Sequence, residues 1–194
     1  MTQIALTIAG SDSSGGAGIQ ADLHTFAVHS VHGASVITCV TAQNTLGVTK
    51  VEAISRETIV AQIEAVTLDL RVDAVKTGML LEEKIIRAIA SFDFPNLVVD
   101  PVMVSRTGAR LIDQEAIASL QELLLPKAVI ITKNTHGTGC TLSAAICANL
   151  ALGKDLWSSV IEAKKYVTIA LQHSLDIGAG NGPVGHFFSL IAQT

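Results

Sequence analysis

The fold class follows from residues 4–27, IALTIAGSDSSGGAGIQADLHTFA. Residues 4–9 form a short apolar run, which is typical of a buried strand. Residues 10–18 form a loop rich in glycine and serine, and residues 19–27 carry apolar side chains at helical spacing. Gly33 ends this helix, and residues 34–40 predict a second buried strand. This order of strand, glycine-rich loop, helix and strand is typical of the start of a parallel α/β sheet.

The same alternation continues along the chain. We expect further strands at residues 73–79, 97–100 and 128–132, and a short edge strand at residues 48–54. We expect helices at residues 56–70, 82–91, 114–125, 139–152 and 155–174, the first of them capped by Ser55. No repeat or linker interrupts the pattern, so residues 1–194 are predicted to form a single domain. Because parallel strands end at the same edge, loops 10–18, 41–47, 77–80, 100–110 and 133–140 should share one face.

The composition excludes several classes of protein. Hydrophobic residues make up 49% of the 194 residues and charged residues 15%, which indicates a compact fold with a substantial core. A net charge of −4 without a basic run argues against a nucleic-acid surface. No apolar stretch has the length that a membrane span needs, and the first residues lack the basic start of a signal peptide. With only three scattered cysteines, we expect a cytoplasmic protein with reduced thiols.

A second glycine turn, GTGC at residues 137–140, leads into an apolar helix. A helix that begins at about Gly139 would direct unpaired backbone N–H groups, and the positive end of its dipole, towards the turn. Such a turn is a ready site for an anion. Plain capping of the helix is the alternative interpretation. The same position should lower the pKa of the Cys140 thiol.

Three kinds of phosphate-binding protein could place two glycine-rich loops at one sheet edge. A dinucleotide-binding fold needs an acidic residue at the end of its second strand, and residues 39–43 (CVTAQ) contain none. A P-loop needs a lysine at the start of the helix, and residues 137–140 lack it. A phosphotransferase whose anion hole is a bare Gly-x-Gly turn remains. The base that accepts the proton of the substrate would be Cys140 or His136.

Five motifs resemble those of the hydroxymethylpyrimidine/phosphomethylpyrimidine kinases, a family of the ribokinase-like superfamily that acts in thiamine biosynthesis. They are AGSDSSGGAGIQAD at residues 9–22, TAQNT at 41–45, KTGML at 76–80, VDPVM at 99–103 and NTHGTGC at 134–140. The match covers nearly the whole chain in order. It implies a three-layer α/β fold in which a mostly parallel sheet lies between helices. Compared with the fold that the resemblance implies, these 194 residues lack part of the strands on the nucleotide side.

The resemblance also implies an activity and a set of site residues. The activity is ATP-dependent phosphorylation of 4-amino-5-hydroxymethyl-2-methylpyrimidine and then of its monophosphate, with ATP and Mg²⁺ as cofactors and a homodimer as the assembly. Gln43 would form hydrogen bonds with the pyrimidine ring. The resemblance places the other substrate contacts at Gly10, Ala17, Asp22, Met79 and Val102. It gives the anion hole to Gly137, Thr138 and Gly139, and the position of the base to Cys140.

The chain departs from the family immediately before the second glycine turn. In the family, an Asn-x-x-Glu motif and further α/β units follow the strand that matches residues 128–132, whereas here Thr132 is followed directly by Lys133. No carboxylate lies between Glu122 and Asp155, so Asp100 is the remaining candidate for contacts with Mg²⁺. We expect that a segment between residues 132 and 133 is missing from these 194 residues. The alternative is a real deletion, which would leave a non-catalytic pyrimidine-binding protein.

Other polar residues have simpler interpretations. His24, His29 and His32 do not share a helix face, so surface or capping roles are expected rather than a metal site. Asp12 is expected to cap the first loop through an Asx-turn. Cys39 and Cys147 lie in apolar segments and are expected to be inert core thiols.

Overall fold

The structure is a computed structural model that describes residues 1–103, 112–132, 138–180 and 182–188. The strands are β1 (Ile4–Asp12), β2 (His32–Gln43), β3 (Val48–Ala53), β4 (Ala74–Thr77), β5 (Leu97–Val99) and β6 (Ile130–Ile131). The helices are α1 (Gly18–Val28), α2 (Arg56–Asp69), α3 (Glu83–Ala90), α4 (Gln114–Ser119), α5 (Gly139–Ala151) and α6 (Leu156–Gln172). The predicted alternation of strands and helices is confirmed.

The six strands form one sheet in the order β3-β2-β1-β4-β5-β6. All neighbouring strands are parallel except β3, which pairs with β2 in the antiparallel direction as the edge strand that the sequence indicates. Successive strand residues face opposite sides. Ala5 therefore packs with the layer of α1, α5 and α6, and Leu6 packs with the layer of α2, α3 and α4. The predicted three-layer α/β fold is confirmed.

Side-chain caps and a proline determine where several helices begin or end. The Ser55 side chain accepts a hydrogen bond from the Thr58 N–H (3.2 Å) at the start of α2, as predicted. At the start of α6, Asp155 accepts one from the Ser158 N–H (3.0 Å). The helix predicted at residues 114–125 is not uniform, because α4 continues as a π-helix (Leu120–Leu124) and a 3₁₀-helix (Leu125–Lys127). Pro126 has no N–H for a regular α-helical bond, and the helical segment ends one residue later, at Lys127.

The parallel strands bring the loops that follow β1, β2, β4 and β5 to one edge of the sheet, as expected. Residues 104–111 and 133–137, which include Gly137, His136 and the Thr132–Lys133 junction, lie outside the described residues. Across the parts of the chain that the structure describes, no helix is long and apolar enough to span a membrane.

Candidate active site

The loop between β1 and α1 folds back onto the end of β1. Gly18 has a φ of +56°, and a Cβ at this position would lie 2.3 Å from the carbonyl oxygen of Gly10. Asp12 holds the rest of the loop, because its carboxylate accepts hydrogen bonds from the N–H groups of Ser14 (2.8 Å) and Gly16 (3.1 Å). The predicted Asx-turn at Asp12 is therefore confirmed. Ala17 lies half-buried immediately before α1.

Gly10 and Met79 pack together at the carboxyl edge of the central strands, and Gln43 ends β2 at the same edge. A Cβ on Gly10 would lie 2.7 Å from the Cys39 sulfur and 3.9 Å from the Met79 Cβ, so only glycine allows this close approach. Ser13 holds the backbone of Gln43, since its hydroxyl donates to the Gln43 carbonyl (2.7 Å) and accepts from the Gln43 N–H (2.9 Å). Sequence reasoning had given Ser13 no role, because its partner is 30 residues away.

Asp22 lies on α1, below this edge. Its carboxylate is fully buried and lies 2.9 and 2.8 Å from the Lys76 ammonium, while the Thr7 hydroxyl donates a third hydrogen bond at 2.6 Å. The resemblance implies that Asp22 contacts the pyrimidine ring, but these three bonds enclose the carboxylate within the protein. Sequence reasoning had also given Lys76 no role. Its signal was a lysine within a buried strand, where a charge needs a partner.

Helix α5 begins at Gly139, as predicted, and Thr138 precedes it without forming a side-chain cap. Cys140 is half-buried in the first turn. Burial raises the pKa of this thiol to about 11, so the expectation of a lowered pKa is wrong. The Lys76 ammonium and the Gly18 N–H favour the thiolate, but burial and the carboxylates of Asp22 and Asp100 outweigh them.

Asp100 is buried directly after β5, next to the start of α5. Its Oδ2 lies 3.3 Å from the Ser143 hydroxyl. Among the described residues, Asp100 Oδ1 and the hydroxyls of Thr77 and Thr132 are buried without a hydrogen-bond partner. Carboxylate and hydroxyl oxygens are hard ligands that suit Mg²⁺. However, the parts of the chain that the structure describes contain no cluster of three His, Cys, Asp or Glu residues that could hold a metal.

The remaining candidate residues are Val102, the histidines on α1 and two further cysteines. Val102 is half-buried, two residues after Asp100. The His29 side chain bonds to the Thr25 carbonyl (2.8 Å) and its ring packs against Tyr166, while the His24 ring packs against His186. Cys39 and Cys147 are both buried and free, as expected of core thiols.

Comparison with known proteins identifies the family. The family model for phosphomethylpyrimidine kinase matches residues 12–135 and 129–185. The hydroxymethylpyrimidine/phosphomethylpyrimidine kinase of Synechococcus elongatus is 45% identical over 258 aligned positions, which cover 96% of this chain and 98% of that protein. Since 258 positions exceed the 194 residues of this chain by 64, the relative has residues without a counterpart here.

Solved structures are similar as well. The phosphomethylpyrimidine kinase of Clostridium difficile is 38% identical, with a TM-score of 0.79, and the match covers 86% of this chain and 98% of that one. An ADP complex of Bacillus subtilis pyridoxal kinase is 29% identical, with a TM-score of 0.86 and coverage of 98% and 100%. The chain belongs to the phosphomethylpyrimidine kinase family.

Proposed function

We propose that this protein is the ATP-dependent kinase that phosphorylates 4-amino-5-hydroxymethyl-2-methylpyrimidine and then the resulting monophosphate, in thiamine biosynthesis. The observation that carries the proposal is the high identity to hydroxymethylpyrimidine/phosphomethylpyrimidine kinases along nearly the whole chain. The fold supports it, because Gly10, Gln43, Met79 and the start of α5 lie at the same sheet edge.

The start of α5 supplies the electrostatic part of the reaction. The first N–H groups of a helix have no partner within the helix, so those at Gly139 and Cys140 can stabilise negative charge on the transferred phosphoryl group. Thr138 and Gly137 would complete this anion hole. The hydroxymethyl oxygen attacks the γ-phosphorus, the bond from phosphorus to the β–γ bridging oxygen breaks, and ADP leaves. The hydroxyl proton passes to the Cys140 thiolate.

The pyrimidine would lie between the first loop and the end of β4. Gly10 and Met79 would form one wall of the ring site, and the amide of Gln43 would pair with the aminopyrimidine edge. Ala17 and Val102 would contact the ring from its two other sides. Asp22 would act on the ring through the loop above it, since its carboxylate is enclosed.

Mg²⁺ would be held near Asp100, whose buried Oδ1 has no hydrogen-bond partner in the hydrogen-bond geometry of the described residues and whose ionised form the nearby Thr132 hydroxyl favours. The ion would neutralise charge on the phosphate oxygens. We also propose a homodimer in the cytoplasm. The family resemblance supports the dimer, and the three free cysteines fit a reducing compartment.

We further propose that the complete protein carries a segment between residues 132 and 133 that is absent from these 194 residues. The relative from Synechococcus elongatus aligns over 258 positions. The two matches of the family model meet at the same place, residues 129–135. At this place β6 is a two-residue edge strand, and Val129 and Ile131 are 44% and 47% exposed. An exposed apolar edge strand is usually covered by another element.

Steady-state phosphorylation of hydroxymethylpyrimidine by the complete protein tests the function, with a Cys140→Ala variant to test the base. We expect kcat to fall about 10²- to 10⁴-fold, the range for removal of a general base, with little change in KM. Cys147→Ala, which removes a buried thiol two turns along the same helix, is the matched control and should keep kcat within a few-fold. Unchanged turnover in Cys140→Ala would refute the assignment of Cys140 as the catalytic base. If the wild-type protein binds the pyrimidine without phosphorylating it, the proposed kinase activity is refuted.

A further inference from the structure

The chain after α6 forms a loop whose two ends are joined. The Leu175 N–H donates a hydrogen bond to the Pro183 carbonyl (2.9 Å). We call residues 175–180 and 182–183 the C-terminal loop. Its glycines at positions 178, 180 and 182 bring it close to other segments, since a Cβ at any of them would overlap a neighbouring atom.

The C-terminal loop contacts the turn that follows Gln43. The Gly180 N–H donates a hydrogen bond to the Thr45 hydroxyl (3.2 Å), although the two residues are 135 positions apart. A Cβ on Gly178 would lie 2.5 Å from the same hydroxyl oxygen, and one on Gly180 would overlap the Thr45 carbonyl. Thr45 is half-buried, whereas both of its neighbours in the chain are exposed. The C-terminal loop therefore packs onto both the backbone and the side chain of Thr45.

The C-terminal loop also contacts the first loop, between β1 and α1. A Cβ on Gly16 would lie 3.2 Å from the Pro183 Cβ. Ser13, in the same first loop, forms two hydrogen bonds with the backbone of Gln43. The first loop, the turn after Gln43 and the C-terminal loop therefore each contact the other two.

Buried residues directly after the C-terminal loop anchor it to the core. Val184 packs in the layer of α1, α5 and α6, and the Gly185 N–H donates to the Ala170 carbonyl on α6 (3.1 Å). The His186 ring is buried and forms a hydrogen bond with the Tyr166 hydroxyl (2.9 Å). The C-terminal loop is therefore fixed to α6 at its end and can hold the turn that it contacts in a defined place.

The turn after Gln43 is supported in two ways. The Asn44 side chain accepts hydrogen bonds from the N–H groups of Leu46 (2.9 Å) and Gly47 (3.2 Å), and these local bonds determine the shape of the turn. They do not determine where the turn lies relative to the first loop. The bond from Gly180 to Thr45 contributes to that position, because it links the turn to a segment that is anchored on α6.

We propose that Thr45 is a positioning residue that couples the C-terminal loop to Gln43 and thereby strengthens binding of the pyrimidine. The proposal rests on the proposed function, in which the Gln43 amide pairs with the aminopyrimidine edge. Thr45 lies two residues after Gln43 and acts through the backbone, with no part in transfer of the phosphoryl group. Loss of its hydroxyl should therefore weaken binding of the pyrimidine and leave the chemical step unchanged.

Steady-state kinetics of the complete protein with 4-amino-5-hydroxymethyl-2-methylpyrimidine and ATP tests this role. Thr45→Val keeps the shape of the side chain and removes the hydroxyl. We expect the KM for the pyrimidine to rise about 2- to 10-fold, the range for one neutral hydrogen bond, with kcat and the KM for ATP unchanged. Thr45→Ser keeps the hydroxyl and should restore the KM of the wild-type protein. Thr168→Val, which removes a hydroxyl bonded to the Lys164 carbonyl within α6 (2.8 Å), is the matched control and should change neither constant.

A second variant tests whether the contact with the C-terminal loop carries the effect. Gly180→Ala separates this loop from the Thr45 carbonyl and should raise the same KM. If both variants act through one contact, the KM of the double variant will rise by less than the product of the two single effects. Effects that multiply would overturn the coupling, and so would a Thr45→Ser variant as impaired as Thr45→Val. A fall in kcat with a rise in both KM values would indicate a general structural role and would also overturn it.

Binding of the pyrimidine, measured by calorimetry, separates this proposal from the proposed function. If the wild-type protein binds the pyrimidine without phosphorylating it, the kinase activity is refuted, but the Kd of Thr45→Val should still rise by the same factor. Normal kinase activity with an unchanged KM in Thr45→Val would refute the positioning role and leave the kinase activity standing. Should Thr45→Val fail to fold by circular dichroism, Gly180→Ala decides, and an unchanged KM in that variant would refute the proposal.

Discussion

Replacing Gly18 by alanine tests whether the conformation of the first loop (residues 10–18) depends on the close contact between Gly18 and the backbone of Gly10. Gly18 has a φ of +56°, and its Cβ would lie 2.3 Å from the Gly10 carbonyl oxygen and 3.3 Å from the Gly10 carbonyl carbon. These are backbone atoms of β1, so they cannot move aside by a change of rotamer. Gly15 in the same loop has a φ of +77° and no atom within 4 Å of its Cβ. Gly15→Ala is therefore the matched control.

Both variants introduce backbone strain, but only Gly18→Ala also introduces a steric overlap. A left-handed backbone costs an alanine about 1–2 kcal/mol, and both positions incur this cost. At position 18, loop and strand must also separate by about 1 Å to reach ordinary contact, and overpacking of this kind costs about 1–3 kcal/mol. We therefore expect Gly18→Ala to lower the free energy of unfolding by about 2–5 kcal/mol and Gly15→Ala by about 1–2 kcal/mol.

Urea unfolding followed by circular dichroism measures this difference. Domains are stable by about 5–15 kcal/mol, so both variants can remain folded in buffer. The separation of the loop from Gly10 should also raise KM for the pyrimidine in Gly18→Ala, because Gly10 packs beside Met79. Equal losses of stability in the two variants would show that the contact between Gly18 and Gly10 does not determine the loop.

Two other outcomes can be measured directly. His186 is buried, forms a hydrogen bond with the Tyr166 hydroxyl (2.9 Å) and has a pKa lowered to about 4 by burial and by His24. Since this folded pKa lies below the unfolded value of about 6.5, its contribution to stability is full above pH 6.5 and is lost as the pH falls towards 4. The melting temperature should fall over this range, and His186→Asn should flatten that part of the curve; an equally steep curve would contradict the assignment. The intact mass of the protein isolated from its natural source should exceed 20.3 kDa, whereas a mass of 20.3 kDa would establish a real deletion between residues 132 and 133.

Much of the fold could be predicted from local sequence, since its signals are local. Apolar runs end at glycine-rich or polar loops, and this gives the order of the strands and helices. Ser55 and Asp155 cap helices through N–H groups three residues away, which a short window reveals. The shared face of the loops follows from the parallel sheet.

The charges beneath the site could not be predicted in the same way. Asp22 and Lys76 are 54 residues apart, and only the packing of α1 on the sheet brings them together. The direction of the pKa shift at Cys140 was predicted wrongly, because position in the helix is local whereas burial depends on the whole core. The helix predicted at residues 114–125 could be placed, but its change to π and 3₁₀ geometry could not.

Cys140 is subject to two opposing requirements. A thiolate must be present to accept the proton of the substrate, whereas the enclosed site that excludes water also disfavours the charge. Burial raises the pKa of Cys140 to about 11 although the Lys76 ammonium and the Gly18 N–H both lower it, so these groups together do not offset the burial of the thiol. The Lys76 ammonium comes from β4, and water cannot screen its effect on the thiol because it is fully buried. Strand β4 therefore contributes positive charge to the start of α5, but less than the burial of the thiol requires.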